Sequence, residues 1–543
     1  MKKLATIALL SIATMTAMAI PARKGPITRV MEDGTETEIY LHGDEHFHYM
    51  TNAAGEWLEE ETLLPMTAER KEARLNAAIE RKQQRQRRIQ EQKESVGDLN
   101  LAPRGLVILV NFQDVQFKTY YLDIDSMLNA ECYGRHYDYN YRYNGITYKG
   151  TVDAYGSARV YFRQNSFGQY DPEFDVVGPV TVSQKMEYYG GNDSNDQDKN
   201  PEKMIKEACE LANTQFNVDF TQYDNDNDGA ADIVYVIYAG YGEADGGASN
   251  TIWPHQYELS YTGTRCYVDG IKIDHYACSN ELNYTDKQYA GIGTFCHEFS
   301  HVLGLPDLYA TNDATHHTLC NWDIMDYGPY NNEGNTPPAY SSYERFYMGW
   351  LTPRILTEPA GVVSLGVLND DNPEALLICE GDEHNMNGLH PSPTTFYMLE
   401  NRQNLWGWDR HLPGNGMLIT KITYNRSKWI GNTVNNSASA MGVDIIEAKA
   451  NNTSGYYAKA KATDAFPAGA TEWTDFEGHE ITNIVQNEGL GITFSYRWPA
   501  ERLPVEDVKA EQKVEKILRN GQVLIIRNGK TYNAQGALVN CDL

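Results

Sequence analysis

The sequence predicts a mixed α/β (α+β) domain followed by a β-sandwich-like domain and a small C-terminal β-meander. Three observations carry this. "GLVILVNFQD" (105–114) and "DIVYVIYAGYG" (232–242) are continuous apolar runs rich in β-branched residues, the pattern of strands buried on both faces. Between them "NPEKMIKEACELAN" has a helical period, so strand, helix and strand alternate. From about residue 356 the period shortens to "GVVSLGVL", "FYMLENR", "GMLITKI" and "GITFSYRW", separated by Gly, Pro and Asn turns, which points to a sandwich of short strands.

In chain order, the first 19 residues join Lys2-Lys3 to an apolar stretch ending in Ala17-Met18-Ala19, the form of a signal peptide. Residues 20–100 are expected to form a propeptide. They hold "LHGDEHFHYM", where His42, Asp44, His46 and His48 either reach an open metal position before activation or are ordinary surface residues, and the surface reading is preferred. A polar, helix-forming linker with Arg87-Arg88 follows; it has no apolar face to bury and suits proteolytic release. The α/β domain is placed at 101–355, with its helix starting at an Asn200 N-cap and Pro201 and turning Met204, Ile205, Ala208, Leu211 and Ala212 inward. The β-sandwich-like domain is placed at 356–502. In the tail, 503–543, Asn520-Gly521 and Asn528-Gly529 favour tight hairpin turns, and the tail resembles C-terminal sorting segments of exported proteins.

At 543 residues the chain exceeds one core of ~250–300 residues. A formal net charge of −28 repels phosphate backbones, so nucleic acid is not an expected partner. No mature segment reaches the ~18 apolar residues of a membrane span. A monomer secreted to the extracellular space or cell surface is expected. Of the 8 cysteines, Cys266 with Cys278 and Cys296 with Cys320 are close enough to pair, and buried free thiols are the preferred alternative.

The densest chemistry lies in "GTFCHEFSHVLGLPDLYAT" (293–311). His297 and His301, one helical turn apart, project from one face and suit a single Zn2+ ion, while Glu298 sits beside the metal as general base for a water it activates. Gly304 ends the helix in a left-handed conformation and Pro306 prevents its resumption, turning the chain back. Asp307 falls where longer zinc patterns carry a third histidine, and its carboxylate is the expected third ligand; otherwise it is a turn residue. Further on, "CNWDIMDYGPY" brings Met325, either a turn beneath the metal or core filler, and Tyr327, whose hydroxyl either reaches the zinc or the oxyanion or is one of 37 tyrosines. "DNDNDGAAD" (224–232) alternates carboxylates: Asp224, Asp226, Asp228 and Asp232 either hold Ca2+ or form a solvated turn. Tyr235 at the twelfth position rules out an EF-hand.

"HEFSHVLGLPDLY" with "WDIMDYG" resembles the immune inhibitor A-type secreted bacterial metallopeptidases, a metzincin-like group with Asp in place of the third His. "GSARVYFRQNSFGQYDPEFDVVGPV", "DFTQYDNDNDGAADIVYVIYAGYGEA", "SSYERFYMGWL" and "ENRQNLWGWDRHLPGNGMLITKI" extend the resemblance over most of residues 100–500. It implies a zinc-dependent endopeptidase made as a secreted zymogen and acting on protein or peptide substrates. Two other readings compete: Glu344 as third ligand from a later helix, and a secreted adhesin or glycan-binding protein whose metal is only structural. His316 and His317 are read as loop residues.

Overall fold

The computed structural model describes residues 22, 26–30, 36–44, 47–59, 62–74, 103–143, 146–193, 197–225, 227–284, 287–312, 314, 316–369, 373–380, 383–451, 460–476, 479–497, 515–519, 522–527 and 530–533. The expected signal peptide, most of the basic linker, His46, Asp226 and the two Asn-Gly turns of the tail lie outside these residues, as do the side chains of His42, Asp44 and His48.

The N-terminal segment forms a four-stranded antiparallel sheet of β1 (Pro26–Val30), β2 (Glu36–Asp44), β3 (Phe47–Thr51) and β4 (Trp57–Leu58). A helix, α1, follows and is described over residues 68–74. The α/β part then opens with β5 (Arg104–Asn111), whose side chains after Arg104 are all buried, as its apolar run predicts. After α2 (Tyr121–Asn129) come the hairpin β6 (His136–Tyr143) and β7 (Ile146–Asp153), then α3 (Ala158–Asn165), β8 (Glu173–Thr181) and α4 (Met186–Gly190). The helix α5 (Pro201–Phe216) precedes β9 (Val234–Tyr241), β10 (His255–Glu258), the β11 (Cys266–Val268) and β12 (Ile271–Ile273) pair, and β13 (His275–Leu282).

The main sheet has the order β10-β13-β9-β5-β8, parallel except for the antiparallel edge strand β10. The expected helix is present with two local differences. Asn200 occupies the N-cap but makes no capping hydrogen bond; its side-chain amide donates instead to the Tyr188 carbonyl at 2.7 Å. Cys209, rather than the half-buried Leu211, completes the buried face.

From β13 the chain enters α6 (Ile292–Val302) and later α7 (Ser342–Tyr347). Beyond it lie two sheets. One has the order β14 (Arg354–Ile355), β16 (Ala375–Cys379), β17 (Thr395–Arg402), β18 (Gly416–Thr423), β19 (Val443–Ile445); the other runs β15 (Ala360–Leu365), β22 (Ile492–Arg497), β21 (His479–Gln486), β20 (Trp473–Phe476). A short helix, α8 (Arg426–Ile430), interrupts the first sheet between β18 and β19. In the tail β23 (Glu515–Arg519), β24 (Gln522–Arg527) and β25 (Lys530–Asn533) form an antiparallel meander.

Alternation along β17 explains how these layers join. Tyr397 and Leu399 pack with Val363, Ile481 and Phe494 between the two later sheets. Phe396 and Met398, on the opposite face, belong to a cluster that continues through Phe346 of α7 and Phe295 and Phe299 of α6 to Phe162, Phe174 and Leu109. The first later sheet is therefore buried on both faces, and packing runs without a break across residue 355. The other face of the main sheet, with Ile108, Val110, Val236 and Tyr238, covers α5 through Met204, Ile205 and Ala208.

Phe299 is the aromatic hinge of this arrangement, its ring 4.8 Å from Phe162, 5.4 Å from Phe174 and stacked at 5.9 Å on Phe295. Phe299→Ala is expected to cost about 3–5 kcal/mol through lost burial and the cavity left behind. Chemical denaturation checks this, and an unchanged midpoint would contradict the packing described.

Candidate metal centre

The site is assembled from the end of α6 and the two turns that follow. At its N-terminus α6 lies directly on the 328–335 loop: a Cβ on Gly293 would sit 2.0 Å from the Pro329 carbonyl oxygen, and the Gly293 N–H donates to the Gly334 carbonyl at 2.8 Å. Only glycine allows that approach. At the other end Gly304 has φ +97°, the left-handed conformation that stops the helix, and its N–H closes on the His301 carbonyl at 2.9 Å. The chain then turns through Leu305-Pro306 and delivers Asp307 to the same side as the two imidazoles.

His297 Nε2 and His301 Nε2 lie 3.2 Å apart, and each is 3.3 Å from Asp307 Oδ1. The opposite ring nitrogens are committed: His297 Nδ1 donates to the Ile324 carbonyl at 2.7 Å and His301 Nδ1 to the Leu305 carbonyl at 2.8 Å. Each Nε2 therefore presents a lone pair to the common point. A tetrahedral ion with bonds of about 2.0–2.1 Å has its ligand atoms ~3.3–3.4 Å apart. The observed triangle fits zinc, and Asp307 Oδ1 is buried with no hydrogen bond donated to it among the described residues. No other group of three His, Cys, Asp or Glu is so gathered among those residues.

The electrostatics agree. Burial disfavours the charged form of both imidazoles and of the Asp307 carboxyl. At His297 this is outweighed by Asp307 and Glu298, which push its pKa to about 9; at His301 burial prevails and the pKa falls. Asp307 is held below the usual carboxylate range by the two histidines. The cluster thus draws positive charge to the point the three atoms surround. His297, Glu298 and Asp307 have no exposed surface, and His301 has 4%.

Two supports lie outside the motif. The turn Asp323–Gly328 carries the Ile324 carbonyl that orients His297, and the Met325 carbonyl accepts from the Leu308 N–H at 2.7 Å, next to Asp307. Met325 is itself fully buried, and the backbone carbonyls of Ile324 and Met325 hold His297 and Leu308 respectively. The second support was not foreseen. Asn432, just after α8 and with φ +50°, accepts from the Asp307 N–H through Oδ1 at 2.6 Å and donates from Nδ2 to Asp307 Oδ2 at 2.5 Å. This clamp occupies Oδ2 and leaves Oδ1 for the imidazoles. Asn435 and Asn436 extend it, to the Leu308 carbonyl at 2.8 Å and from the Thr311 N–H at 2.8 Å. The only sequence signal was the density of asparagines in "GNTVNNS", ordinarily a surface turn.

The remaining expected residues distribute as follows. Tyr327 is half-buried two residues beyond Met325, its ring centroid 6.3 Å from that of Tyr309. Glu344 is not brought to the cluster. It caps α7, with Oε2 accepting from the Ser341 N–H at 2.6 Å, which removes it as a third ligand. In the acidic loop, Asp224 accepts from the N–H groups of Asp228 and Gly229 at 2.9 and 3.1 Å, Asp228 from Ala230 at 2.8 Å, and Asp232 from Asn225 at 2.7 Å, so the loop closes on its own backbone.

His317 is a loop residue paired with Glu447 at 3.1 Å, and His316 lies in the same loop. Neither candidate disulfide is formed: Cys266, Cys278, Cys296 and Cys320 are all free thiols. Cys266 instead faces Cys209 of α5, and Cys278 lies 3.5 Å from His255 of β10.

Because Asn432 orients Asp307 from outside the ligand set, Asn432→Ala should weaken zinc binding by about 10–100-fold while leaving the ligands intact. Competition with a chromogenic chelator measures this; wild-type affinity in the variant would refute the clamp.

Residues 92–351 match the family profile described as "Immune inhibitor A peptidase M6, catalytic domain". The chain is 27% identical over 276 residues to the pre-pro-metalloprotease PrtV of Vibrio cholerae serotype O1 (strains M66-2 and ATCC 39315 / El Tor Inaba N16961), an alignment covering 45% of this chain and 29% of that protein. It is 28% identical over 206 residues to immune inhibitor A of Bacillus thuringiensis subsp. alesti, covering 33% of this chain and 30% of the relative. The matched part thus spans about three tenths of the length of these curated relatives. The two histidines, the aspartate and the adjacent glutamate all fall inside the matched stretch, so through residues 92–351 the chain is similar to the catalytic domain of the immune inhibitor A peptidases.

Proposed function

We propose that the protein is a zinc-dependent endopeptidase that hydrolyses protein or peptide substrates and is made as a zymogen. The observation that carries this is the triangle of His297 Nε2, His301 Nε2 and Asp307 Oδ1 beside Glu298, at the spacing a tetrahedral ion requires. Three protein ligands leave one coordination position for the reaction. Bound zinc would supply a Lewis acid that activates water and polarises the peptide carbonyl.

Every other step falls to the chain itself. Glu298, next to the first ligand, takes the proton of the attacking water and returns it to the leaving amine. Burial of its carboxyl strengthens that electrostatic role. The Tyr327 hydroxyl is assigned to the developing oxyanion, on the strength of its place beyond the methionine turn. Calcium in the 224–232 loop belongs to the same proposal as a structural ion, drawing on carboxylates that already accept backbone hydrogen bonds.

Two features support the zymogen reading. The N-terminal sheet packs Ile39, Leu41, Met50 and Leu58 against Ala244 and Trp253, with Tyr284 and Tyr330 at the margin, and Tyr330 follows Tyr327 by three residues. His297, Glu298 and Asp307 are fully buried and His301 is 4% exposed, as suits a site still covered before activation. The leader-like first 19 residues and the pre-pro description of the Vibrio relative support export to the extracellular space or cell surface. No helix among the described residues is long and apolar enough to cross a membrane. The two later sheets are proposed to act as a β-sandwich-like domain, their shared core supporting that reading.

Casein hydrolysis by the processed protein, run beside metal analysis, tests the proposal. One zinc per chain, activity lost to a zinc chelator and regained on adding zinc are expected. Glu298→Gln should keep the metal while lowering the rate by about 10²–10⁴-fold. An active Gln variant would sink the assignment of the base, and a zinc-loaded, processed wild type that cleaves nothing would reduce the site to a structural one.

A further inference from the structure

We propose that Asp323 and Glu344 share one proton in a buried carboxyl pair, and that this pair fixes the turn from which His297 is held. Asp323 is a positioning residue in this scheme, acting on the metal cluster only through the turn it begins.

The geometry starts with what each carboxyl already does. Asp323 Oδ1 accepts from the Met325 N–H at 2.8 Å, and the Asp323 carbonyl accepts from the Gly328 N–H at 2.9 Å, so both ends of the turn are tied to this residue. Between them the Ile324 carbonyl receives His297 Nδ1–H at 2.7 Å. On α7, Glu344 Oε2 accepts from Ser341 through the backbone N–H at 2.6 Å and the hydroxyl at 2.9 Å. The other two oxygens, Asp323 Oδ2 and Glu344 Oε1, are buried and receive no hydrogen bond from any N–H or O–H among the described residues. The two carboxyl groups are nevertheless within hydrogen-bonding contact of each other. Two ionised carboxylates in such contact repel; one proton between them converts the repulsion into an O–H···O hydrogen bond.

The surrounding charges reinforce this. Asp326 adds a negative group on the same turn, its Oδ2 accepting from the Cys320 N–H at 2.7 Å. The cations nearby are committed elsewhere. Arg402 of β17 binds Asp409 through Nε at 2.7 Å and Glu400 through Nη1 at 3.0 Å. Arg345 of α7 donates to Asn165 at 2.9 Å and to Asn369. Burial holds Tyr161, Tyr340 and Tyr343 firmly as neutral phenols, so they do not compete for the proton. Five buried acids, Asp323, Asp326, Glu344, Glu400 and Asp409, thus face two buried arginines. Burial first, and then the neighbouring carboxylates, raise Asp323 to about 7 and Glu344 well above the usual carboxylate range.

The folded pair keeps protons that the unfolded chain releases near pH 4, so stability is full below that point and falls as pH rises through the folded range, which begins at about 7 with Asp323 and extends higher with Glu344. Glu344→Gln supplies a permanent N–H donor to Asp323 in place of the shared proton, and Asp323→Asn does the same from the other side. Both should remove the pH dependence.

The test uses the full chain carrying Glu298→Gln to prevent self-digestion. Infrared difference spectra between this protein and the Glu344→Gln variant should show a protonated carboxylic acid at neutral pH that the variant lacks. Between pH 5 and 7 the parent Tm should fall relative to Glu344→Gln by roughly 2–4 °C per pH unit. Glu344→Ala, which offers no donor, should bind zinc about tenfold more weakly at neutral pH, whereas Glu344→Gln should not.

Absence of the acid band, or parallel Tm profiles in parent and Glu344→Gln, overturns the shared proton. Should Glu344→Gln fail to fold, Asp323→Asn replaces it in both measurements with the same outcomes. Unchanged zinc affinity in Glu344→Ala overturns the positioning role. The infrared and Tm readouts are independent of peptide hydrolysis, so the pair can fail while the peptidase reading stands, and the reverse.

Discussion

Three electron-pair donors buried within 3.3 Å of one another repel unless a cation lies among them, and the rest of the structure around α6 serves to keep them there. The helix supplies two at its own pitch. A glycine at positive φ and a proline bring the third back. Each donor is then fixed from behind: His297 by a carbonyl of the methionine turn, His301 by Leu305, Asp307 by Asn432. Those partners set the orientation of each donor, beside the attraction between His297 and the Asp307 carboxylate.

What was legible in the sequence is what local geometry determines. The spacing of His297 and His301, the stop at Gly304 and the return of Asp307 all follow from rules acting within about a dozen residues. The buried runs of β5 and β9 and the short strands after residue 356 were legible for the same reason, because period reports burial. Contacts over long separations were not legible. Asn432 meets Asp307 across 125 positions, and in the sequence it reads as one more asparagine in a polar turn. Glu344 offers a competing third ligand by residue type, but the capping box at Ser341 commits it to α7. Asn200 occupied its expected place without its expected bond, because the carbonyl of Tyr188 offered its side chain another partner.

The layer between α7 and β17 shows a cost accepted for definition. Arg402, Glu400, Asp409 and Arg345 are almost fully buried, and charge removed from water contributes little net stability even when paired. Such groups tolerate few alternative arrangements, however, since any slip leaves an ion unpartnered at a cost of about 3–5 kcal/mol. This network ties β17 to the start of α7, where the Ser342 N–H donates to Glu400 and the Ala339 N–H to Asp409. Phe396 and Met398, earlier on the same strand, belong to the apolar cluster that runs through α6 and α7.

The asparagine clamp has a consequence for where one module ends and another begins. The stretch that matches a peptidase domain stops at residue 351, whereas the amide that holds the Asp307 carboxylate stands at 432, beyond five strands of the later sheets. The boundary of shared ancestry and the boundary of the working unit therefore do not coincide. Grafting, trimming or recombining this chain at the end of the matched stretch would carry over His297, His301 and Asp307 and leave behind the amide that tells one of them which way to point.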